Sequence, residues 1–488
     1  MKAVKNALFL ILVFSVCLNA CSAPPVKETA TYTPEPRATS TETLEAVEPT
    51  GTSPDEAPAE IEEPAMEADL ILLNGALLTM NPAQPYAEAL AVKSGSILAV
   101  GNAEQITALA GPSTRVIDLD GMTLMPGFVD SHSHVFSHID RTDEALQQTQ
   151  DWLLSLGIVA SAEAYTDAAL LEWLAREDEA GALRMRLGLY LVYTDACGQI
   201  IGDWYVDHPD AHHTSDHLRI PGIKVFTDGG SCNTPAVSFQ YADGGNGDLY
   251  FSKAELVQII RDIQDLGYQA VLHALGDRAI ETALQAYQEV QDGTENTFRH
   301  RLDHNTLLRD DLLPLYTPTG VIPVIFGSFP TCFFIGDMNQ FRFRTPEEHI
   351  NWEWRYGELI EQNPTLRYAW HSDYPVFATI NPVDHLYGFV TRQQVNEAGD
   401  ICMPPDWAAD DRIPVEDALQ YMTSNAAYAI YYDDLTGTLE PGKRADMIII
   451  SSNPLETIPD ELRDIQVLAT LLDGQVVYCQ EGHENVCQ

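Results

Sequence analysis

Eight apolar, strand-like runs alternate with helical stretches through the middle of the chain, and this alternation limits the fold more than any other feature. Apolar residues recur every three or four positions in the clearest helical stretches, 167–180, 253–265 and 278–291. The strand-like runs are 128–134, 158–164, 185–193, 223–227, 270–273, 301–304, 321–326 and 366–372. Eight β/α units predict an α/β fold whose main part is a (β/α)8, TIM-like barrel.

Short hydrophobic runs also occur before and after the predicted barrel, separated by turn dipeptides such as Asn74-Gly75 and Asp473-Gly474. This pattern predicts antiparallel strands. We expect the two ends to pair into one small β-sandwich domain beside the barrel. The predicted boundaries are 68–125 for the first part of the sandwich, 126–431 for the barrel, and 432–488 for the second part and the tail.

Polar residues that bind metal ions fall at the ends of the predicted strands. His132 and His134 end the first strand, and residues i and i+2 of a strand point to the same side. Chemistry in such barrels is placed at the carboxyl ends of the strands. The remaining candidates are Lys224 in strand four, His273 ending strand five, His304 ending strand six and Asp373 after strand eight.

This set of side chains predicts a hydrolytic metal site holding one or two divalent ions, with zinc favoured by the number of imidazoles. A bound divalent ion supplies a water nucleophile at neutral pH. Asp373 is then the expected general base, against the alternative of a helix N-cap before Pro375. His273 and His304 are expected to bind a second ion or complete a single site, against the alternative of core histidines.

Several motifs resemble the amidohydrolase superfamily, in the amidohydrolase family 3 type branch that includes N-substituted formamide deformylase. The motifs are residues 125–134, 223–229, 273–279, 301–304, 371–375 and 437–446. The resemblance covers nearly everything from Ala68 onward. It implies a barrel with a β-sandwich made from both termini, and metal-dependent hydrolysis.

The resemblance also gives a role to Lys224, because a strand lysine of this family can react with CO2. The resulting carbamate bridges two cations, where an ammonium would repel them. The alternative is an unmodified lysine paired with Asp228 or another acid near the barrel mouth. If Lys224 is unmodified, the site is expected to hold one ion.

Two acidic residues close to these motifs are predicted to be structural. Asp277 follows strand five and precedes a helical run, so N-capping is its expected task. Asp303 should point opposite to His304 and pack against the helix layer.

The expected reaction is cleavage of a non-peptide, amide-type C–N bond in a small molecule: an N-acyl, N-formyl or cyclic amide. Deamination is the alternative within the superfamily, but its members generally place a glutamate three residues after the strand-five histidine, where this chain has Gly276. His371, where relatives usually have a small residue, is a candidate extra ligand, proton relay or substrate contact. A catalytically degenerate, substrate-binding lipoprotein is the third alternative. Aromatic residues in two long loops suggest an apolar substrate group: Trp204, Tyr205, Phe333 and Phe334.

The N-terminal residues predict a secreted lipoprotein. Lys2 and Lys5 precede a 14-residue apolar run, 7–20, which is shorter than the ~20 residues that span a bilayer. Leu18-Asn19-Ala20-Cys21 resembles a bacterial lipobox, with 1–20 as signal peptide and Cys21 as the lipidated residue; an ordinary secretory signal is the alternative. The rest of 21–67 is rich in Pro, Thr and Glu and is expected to be a disordered tether. We therefore expect an extracytoplasmic protein that touches a bacterial membrane only through its lipid anchor.

Charge and cysteine content further limit which partners the protein can bind and which compartment it is expected to occupy. With 72 Asp+Glu against 27 Lys+Arg, the net charge of −45 leaves no basic surface for nucleic acid. Cys479 and Cys487 are close enough in sequence for a disulfide in an oxidising compartment. The other cysteines of the mature chain are scattered and show no CxxC spacing, so no zinc ribbon is expected.

Overall fold

A computed structural model describes residues 67–207, 215–241, 244–327, 331–332, 345–377, 379–396 and 398–487. The predicted signal peptide, Cys21 and the tether lie outside these residues. Within them, no helix combines the length and the apolar character needed to cross a bilayer.

Strands from both ends of the chain build one eight-stranded sheet. The strand Thr123–Pro126 pairs antiparallel with Met447–Ile450, so Pro126 lies opposite Met447. The prediction of antiparallel strands is wrong in one respect, because Ala68–Leu78 pairs parallel with both Ala110–Asp118 and Thr123–Pro126. The strands are β1 (Ala68–Leu78), β2 (Tyr86–Lys93), β3 (Ser96–Gly101), β4 (Ala110–Asp118), β5 (Thr123–Pro126), β16 (Met447–Ile450), β17 (Val467–Leu472) and β18 (Gln475–Cys479).

The eight predicted central strands form a parallel barrel in sequence order, which confirms the predicted fold class. Hydrogen bonds also join the last strand to the first, since Ser131 Oγ donates to the carbonyl of Trp370 at 2.6 Å. The strands are β6 (Phe128–Ser133), β7 (Ile158–Thr166), β8 (Arg186–Val192), β9 (Leu218–Phe226), β10 (Gln269–Ala274), β11 (Arg301–His304), β12 (Ile322–Phe326) and β13 (Ala369–His371). The short strands β14 (Gln394–Val395) and β15 (Ile401–Cys402) pair only with each other.

Helices cover the outside of the barrel because each buries one apolar face. In the helix Lys253–Asp265 the buried residues are Leu256, Val257, Ile259, Ile260 and Ile263. Ser252 and Glu255 form a capping box at its first turn, which satisfies backbone N–H groups that have no partner within the helix. Other helices span Asp143–Ser155, Ala168–Glu179, Asp277–Gln291, Tyr316–Thr319, Tyr356–Gln362, Pro382–Thr391, Val415–Tyr421 and Ser424–Ala429. The helix Ala103–Thr107 packs instead on the terminal sheet, where Ile106 is buried.

A buried ion pair connects the barrel to the terminal sheet. Arg186 of β8 donates two hydrogen bonds to Asp446, at 2.6 and 2.9 Å, and a third to Asp473 at 2.9 Å. Asp446 is the last residue of the 437–446 motif and precedes β16. The motif therefore contributes to the contact between the barrel and the terminal sheet. The domain boundaries predicted at 125/126 and 431/432 stay predictions.

The six cysteines within the described residues all form disulfides. Cys479 pairs with Cys487, as expected from their spacing. Cys197 pairs with Cys232, and Cys332 with Cys402. The bond between Cys197 and Cys232 joins the segments that follow β8 and β9, so it ties together two loops at the carboxyl end of the barrel.

Candidate metal centre

Three ligand-type side chains converge where the first and last barrel strands meet. The backbone N–H of Asp373 donates to the carbonyl of His132 at 3.0 Å, and that of His134 donates to the carbonyl of Tyr374 at 2.8 Å. Asp373 Oδ1 lies 3.3 Å from His132 Nε2 and 3.2 Å from His134 Nε2. The two Nε2 atoms are 3.3 Å apart. All three residues are buried, as a set that could hold one metal ion.

Asp130, which was not predicted from the sequence, joins the ends of the first and last barrel strands through hydrogen bonds. Its carboxylate accepts hydrogen bonds from the Ser372 hydroxyl at 2.5 Å and from the backbone N–H groups of Ser372 and His132. Burial raises its pKa to about 7 although these hydrogen bonds oppose the shift. Asp130 therefore holds the two ligand-bearing strands in register.

A second carboxylate sets the orientation of His132. Asp303 Oδ2 accepts a hydrogen bond from His132 Nδ1 at 2.6 Å, so Nε2 carries the lone pair that faces Asp373. Arg301 holds Asp303 through two hydrogen bonds of 2.8 Å. The prediction that Asp303 packs against the helix layer is wrong. The backbone of His304 has φ 80°, which breaks the strand alternation and lets both side chains reach the interior.

Glu163 of β7 supports His134 and was also missed by the sequence analysis. Its Oε1 lies 3.7 Å from His134 Nδ1, and the carboxylate accepts hydrogen bonds from the backbone N–H groups of Ser137 and Tyr165. A single glutamate in an apolar strand gives little signal. Its position next to the end of the predicted strand 158–164 could have suggested a role beside the site.

A second group of ligand atoms shares Asp373 with the first. His304, His371 and Asp373 each offer an atom, and these atoms lie within 4.8 Å of one another. The ring of His304 lies 4.6 Å from that of His273 and 4.9 Å from that of His371. The predicted residues of strands five and six are therefore next to the first group.

His273 is oriented by the backbone. Its Nε2 donates to the carbonyl of Gly229 at 3.2 Å and lies 3.5 Å from Asp228 Oδ1. Since Nε2 carries the proton, Nδ1 is the nitrogen that keeps a lone pair. Asp228 accepts hydrogen bonds from the N–H groups of Ala236, Leu275 and Gly276.

Lys224 is fully buried beside these histidines. Its Nζ lies 3.7 Å from Asp303 Oδ2 and makes no hydrogen bond within the described residues. Of the sequence alternatives for an unmodified lysine, the structure pairs it with Asp303 and not with Asp228. Burial lowers the pKa of Lys224 to about 8, against the opposing attraction of Asp303. A lysine that loses its proton near neutral pH is nucleophilic toward CO2.

The arrangement fits a divalent ion. Ligands about 2.0–2.1 Å from a tetrahedral zinc ion lie about 3.3 Å apart, which is the spacing of the first group. Burial lowers the pKa of His273 to about 3 and the pKa values of His132, His304 and His371 well below the usual range. These imidazoles are neutral near pH 7, which is the form that binds metal.

Protons and cations compete at the first group. Burial alone lowers the pKa of His134, but Asp373 and Glu163 raise it to about 9. Burial raises the pKa of Asp373, but the neighbouring rings of His132 and His134 outweigh this effect and hold the pKa below its usual range. A His134 ring that carries a proton at neutral pH must release it before its nitrogen can bind a cation.

Other residues named from the sequence have structural positions. Asp277 is the first residue of its helix, not the N-cap, which is Gly276; it accepts hydrogen bonds from the Ser238 N–H and from Arg309. Trp204 donates to the carbonyl of Val192, and Tyr205 is buried against Tyr268. These two aromatics anchor a loop; Phe333 and Phe334 lie outside the described residues.

An eight-stranded parallel barrel with buried histidines and an aspartate at its carboxyl end is the arrangement of a barrel enzyme that works through bound ions. The chain belongs to the amidohydrolase family, which it matches over residues 137–478. It is 24% identical to N-substituted formamide deformylase of Arthrobacter pascens over 351 residues, covering 70% of this chain and 61% of that enzyme.

Two solved structures illustrate the range of proteins that share the fold. An uncharacterized metal-dependent hydrolase from Pyrococcus horikoshii OT3 superposes with a TM-score of 0.65 at 20% identity, covering 80% of this chain and 99% of that one. An adenosine deaminase from Xanthomonas campestris, solved with bound Zn, superposes with a TM-score of 0.59 at 15% identity, covering 86% and 94%. At these identities the likeness concerns the fold alone.

Proposed function

We propose that this protein is a metal-dependent hydrolase of a non-peptide, amide-type C–N bond in a small molecule. The observation that carries the proposal is the convergence of His132, His134 and Asp373, with ligand atoms 3.2–3.3 Å apart. Similarity to the Arthrobacter pascens deformylase supports an N-formyl or other N-acyl substrate. The proposed cofactor is one or two divalent ions, with zinc preferred by the imidazole-rich set.

A divalent ion bound there would supply a water nucleophile at neutral pH and polarise the substrate carbonyl. His132, His134 and Asp373 would hold it, with His273 and His304 available for a second ion. The Asp373 carboxylate stays ionised, so it can accept the proton of the attacking water and return it to the leaving nitrogen. Asp303 keeps the Nε2 lone pair of His132 directed at the ion.

Deamination is disfavoured by the space around Gly276. A Cβ atom at this position would lie 1.9 Å from the Ala236 carbonyl oxygen. The proton-donating glutamate that related deaminases generally carry at the equivalent place therefore does not fit on this backbone. This supports hydrolysis of an amide-type bond as the reaction.

The test is a substrate screen with zinc-reconstituted protein. N-formyl, N-acyl and cyclic amides should be cleaved, and dipeptides and aminopurines should not. Asp373→Asn should abolish turnover, whereas Asp434→Asn, the same change in an exposed ion pair with Arg219, should not. Turnover of dipeptides or aminopurines alone would contradict the proposed bond type. A metal-loaded protein that binds but cleaves no compound would favour the substrate-binding lipoprotein.

We further propose that Lys224 is carboxylated and bridges two ions. Its burial, its lowered pKa and the absence of a hydrogen bond to Nζ within the described residues support this. Lys224→Ala should lower metal content and abolish most activity, and added short-chain carboxylates should restore part of both. Full metal occupancy and near-normal turnover in Lys224→Ala would show that the lysine is structural.

Finally, we propose that the protein is an extracytoplasmic lipoprotein held to a membrane by acylated Cys21. Three disulfides support an oxidising compartment. Cys21→Ala should release the protein from the membrane fraction with its hydrolytic activity intact. A variant that stays membrane-bound would contradict the proposed anchor.

A further inference from the structure

We propose that His371 is a ligand of a second metal ion, which it shares with His304 and Asp373. The inference rests on the proposed metal-dependent function and adds His371 to the residues that would hold the metal. The family resemblance of the sequence implies a small residue at this position.

The first observation is that the His371 ring makes no hydrogen bond to any residue that the structure describes. It is fully buried, and neither ring nitrogen has a hydrogen-bond partner within the described residues. Leaving a buried donor or acceptor unpaired is costly, because the group loses its hydrogen bonds to water and gains none in exchange. Buried polar groups without partners in a native protein therefore call for an ion or a water that is not part of the chain.

The second observation is where the ring points. His371 and Asp373 lie two residues apart at the end of β13, as His132 and His134 do at the end of β6. Trp370, which precedes His371, points outward and packs against His385 with ring centroids 5.1 Å apart. His371 points inward, with its ring 5.1 Å from that of His132 and 4.9 Å from that of His304.

The third observation is that the neighbouring groups suit a cation. One ligand atom each from His304, His371 and Asp373 lies within 4.8 Å of the others. His304 Nδ1 is itself buried without a hydrogen-bond partner in the described part of the chain. Asp373 belongs to both groups, and a carboxylate has two oxygens, so it can face one ion on each side.

The alternative is a histidine that only packs. The ring of Phe326 lies 4.0 Å from that of His371, and such a contact would suit a purely apolar side chain equally well. A packing residue could be replaced without changing the number of bound ions. Metal stoichiometry therefore separates the two roles.

The experiment is a titration of chelator-stripped protein with Co²⁺, read by visible absorption and by elemental analysis after desalting. Wild type should bind two equivalents. His371→Ala should bind the second at least about 100-fold more weakly, because loss of even an indirect supporting partner costs 10–100-fold in affinity. Added imidazole, which fits the space vacated in His371→Ala, should restore the second equivalent.

The matched control is His385→Ala, which removes another buried histidine next to the same strand. It should bind two equivalents. His371→Gln, which keeps more of the side-chain volume, replaces the alanine variant if circular dichroism shows that the latter is unfolded, and it should show the same loss.

The outcomes are distinguishable. Two equivalents of wild-type affinity in a folded His371 variant would overturn the inference and leave the proposed hydrolase in place. A wild type that binds one equivalent would do the same. A wild type that binds none would overturn both.

Discussion

At the scale of single residues, the candidate centre depends on carboxylates that touch the ligands without being ligands themselves. Asp303 fixes His132, and Glu163 stands beside His134. Asp228 lies 3.5 Å from His273 Nε2, and its own carboxylate is held by three backbone N–H groups. Such partners fix the tautomer and the direction of a ligating ring. We therefore expect changes at these positions to alter metal affinity before they alter the fold.

Asp303→Asn tests this expectation. Asparagine is uncharged and replaces one acceptor oxygen with an NH2 donor, so it cannot keep all three hydrogen bonds from His132 and Arg301. Metal affinity should therefore fall about 10–100-fold. Competition with a chromophoric chelator measures this affinity. Asp434→Asn is the control, since it makes the same change at the surface. Unchanged affinity in Asp303→Asn would contradict the role given to this carboxylate.

His300 provides a pH-dependent test outside the site. Its Nδ1 accepts the backbone N–H of Ala270 at 2.9 Å, and burial lowers its pKa to about 3. The unfolded chain, with a pKa of about 6.5, binds the proton first. The stability from neutral His300 is therefore present above about pH 6.5 and lost as pH falls toward the folded pKa, by about 1.4 kcal/mol per pH unit.

We expect His300→Gln to flatten the dependence of the free energy of unfolding on pH. Denaturant unfolding of wild type and variant between about pH 6.5 and pH 4.5 measures both slopes. The variant should be less stable at pH 7, but it should lose less stability on acidification. Parallel slopes would contradict this account of His300.

At the scale of elements, two contacts position the strands that carry the candidate site. One joins the ends of β6 and β13, and the other joins the barrel to the terminal sheet. Arg186 and Asp446 are both buried, and breaking a buried pair leaves an uncompensated charge. Asp446→Ala should therefore lower the free energy of unfolding by about 3–5 kcal/mol. Asp434→Ala, which breaks the more exposed pair with Arg219, should cost about 1 kcal/mol or less. Urea unfolding of the two variants compares them, and equal losses would contradict a structural role for the buried pair.

The elements themselves could be predicted from the sequence, because each barrel strand is a short apolar run and each clear helix has one apolar face. The positions of Asp303 and His304 could not. Strand alternation assigns them to opposite sides, and the positive φ of His304 that cancels this rule has no local sequence signal. The pairs Cys197 with Cys232 and Cys332 with Cys402 were likewise beyond prediction, since they join segments that only the folded barrel brings together.

At the scale of the whole molecule, the family fold brings candidate ligands at the ends of β6, β11 and β13 together at one end of the barrel. The net charge of −45 makes the whole chain strongly acidic, which favours accumulation of cations over anions near it. Ion binding to the native state alone should also stabilise the fold, by about 2.7 kcal/mol at a free concentration 100 times Kd.

The central claim is that His132, His134 and Asp373 hold a divalent ion on which hydrolysis depends. Elemental analysis of the folded protein after growth in zinc-replete medium tests it most directly. We expect one or two divalent ions per chain in the wild type, and a matching loss of metal and amide hydrolysis in His134→Ala, with both retained in the surface variant Asp434→Asn. A folded wild-type protein that contains no divalent ion would contradict the claim.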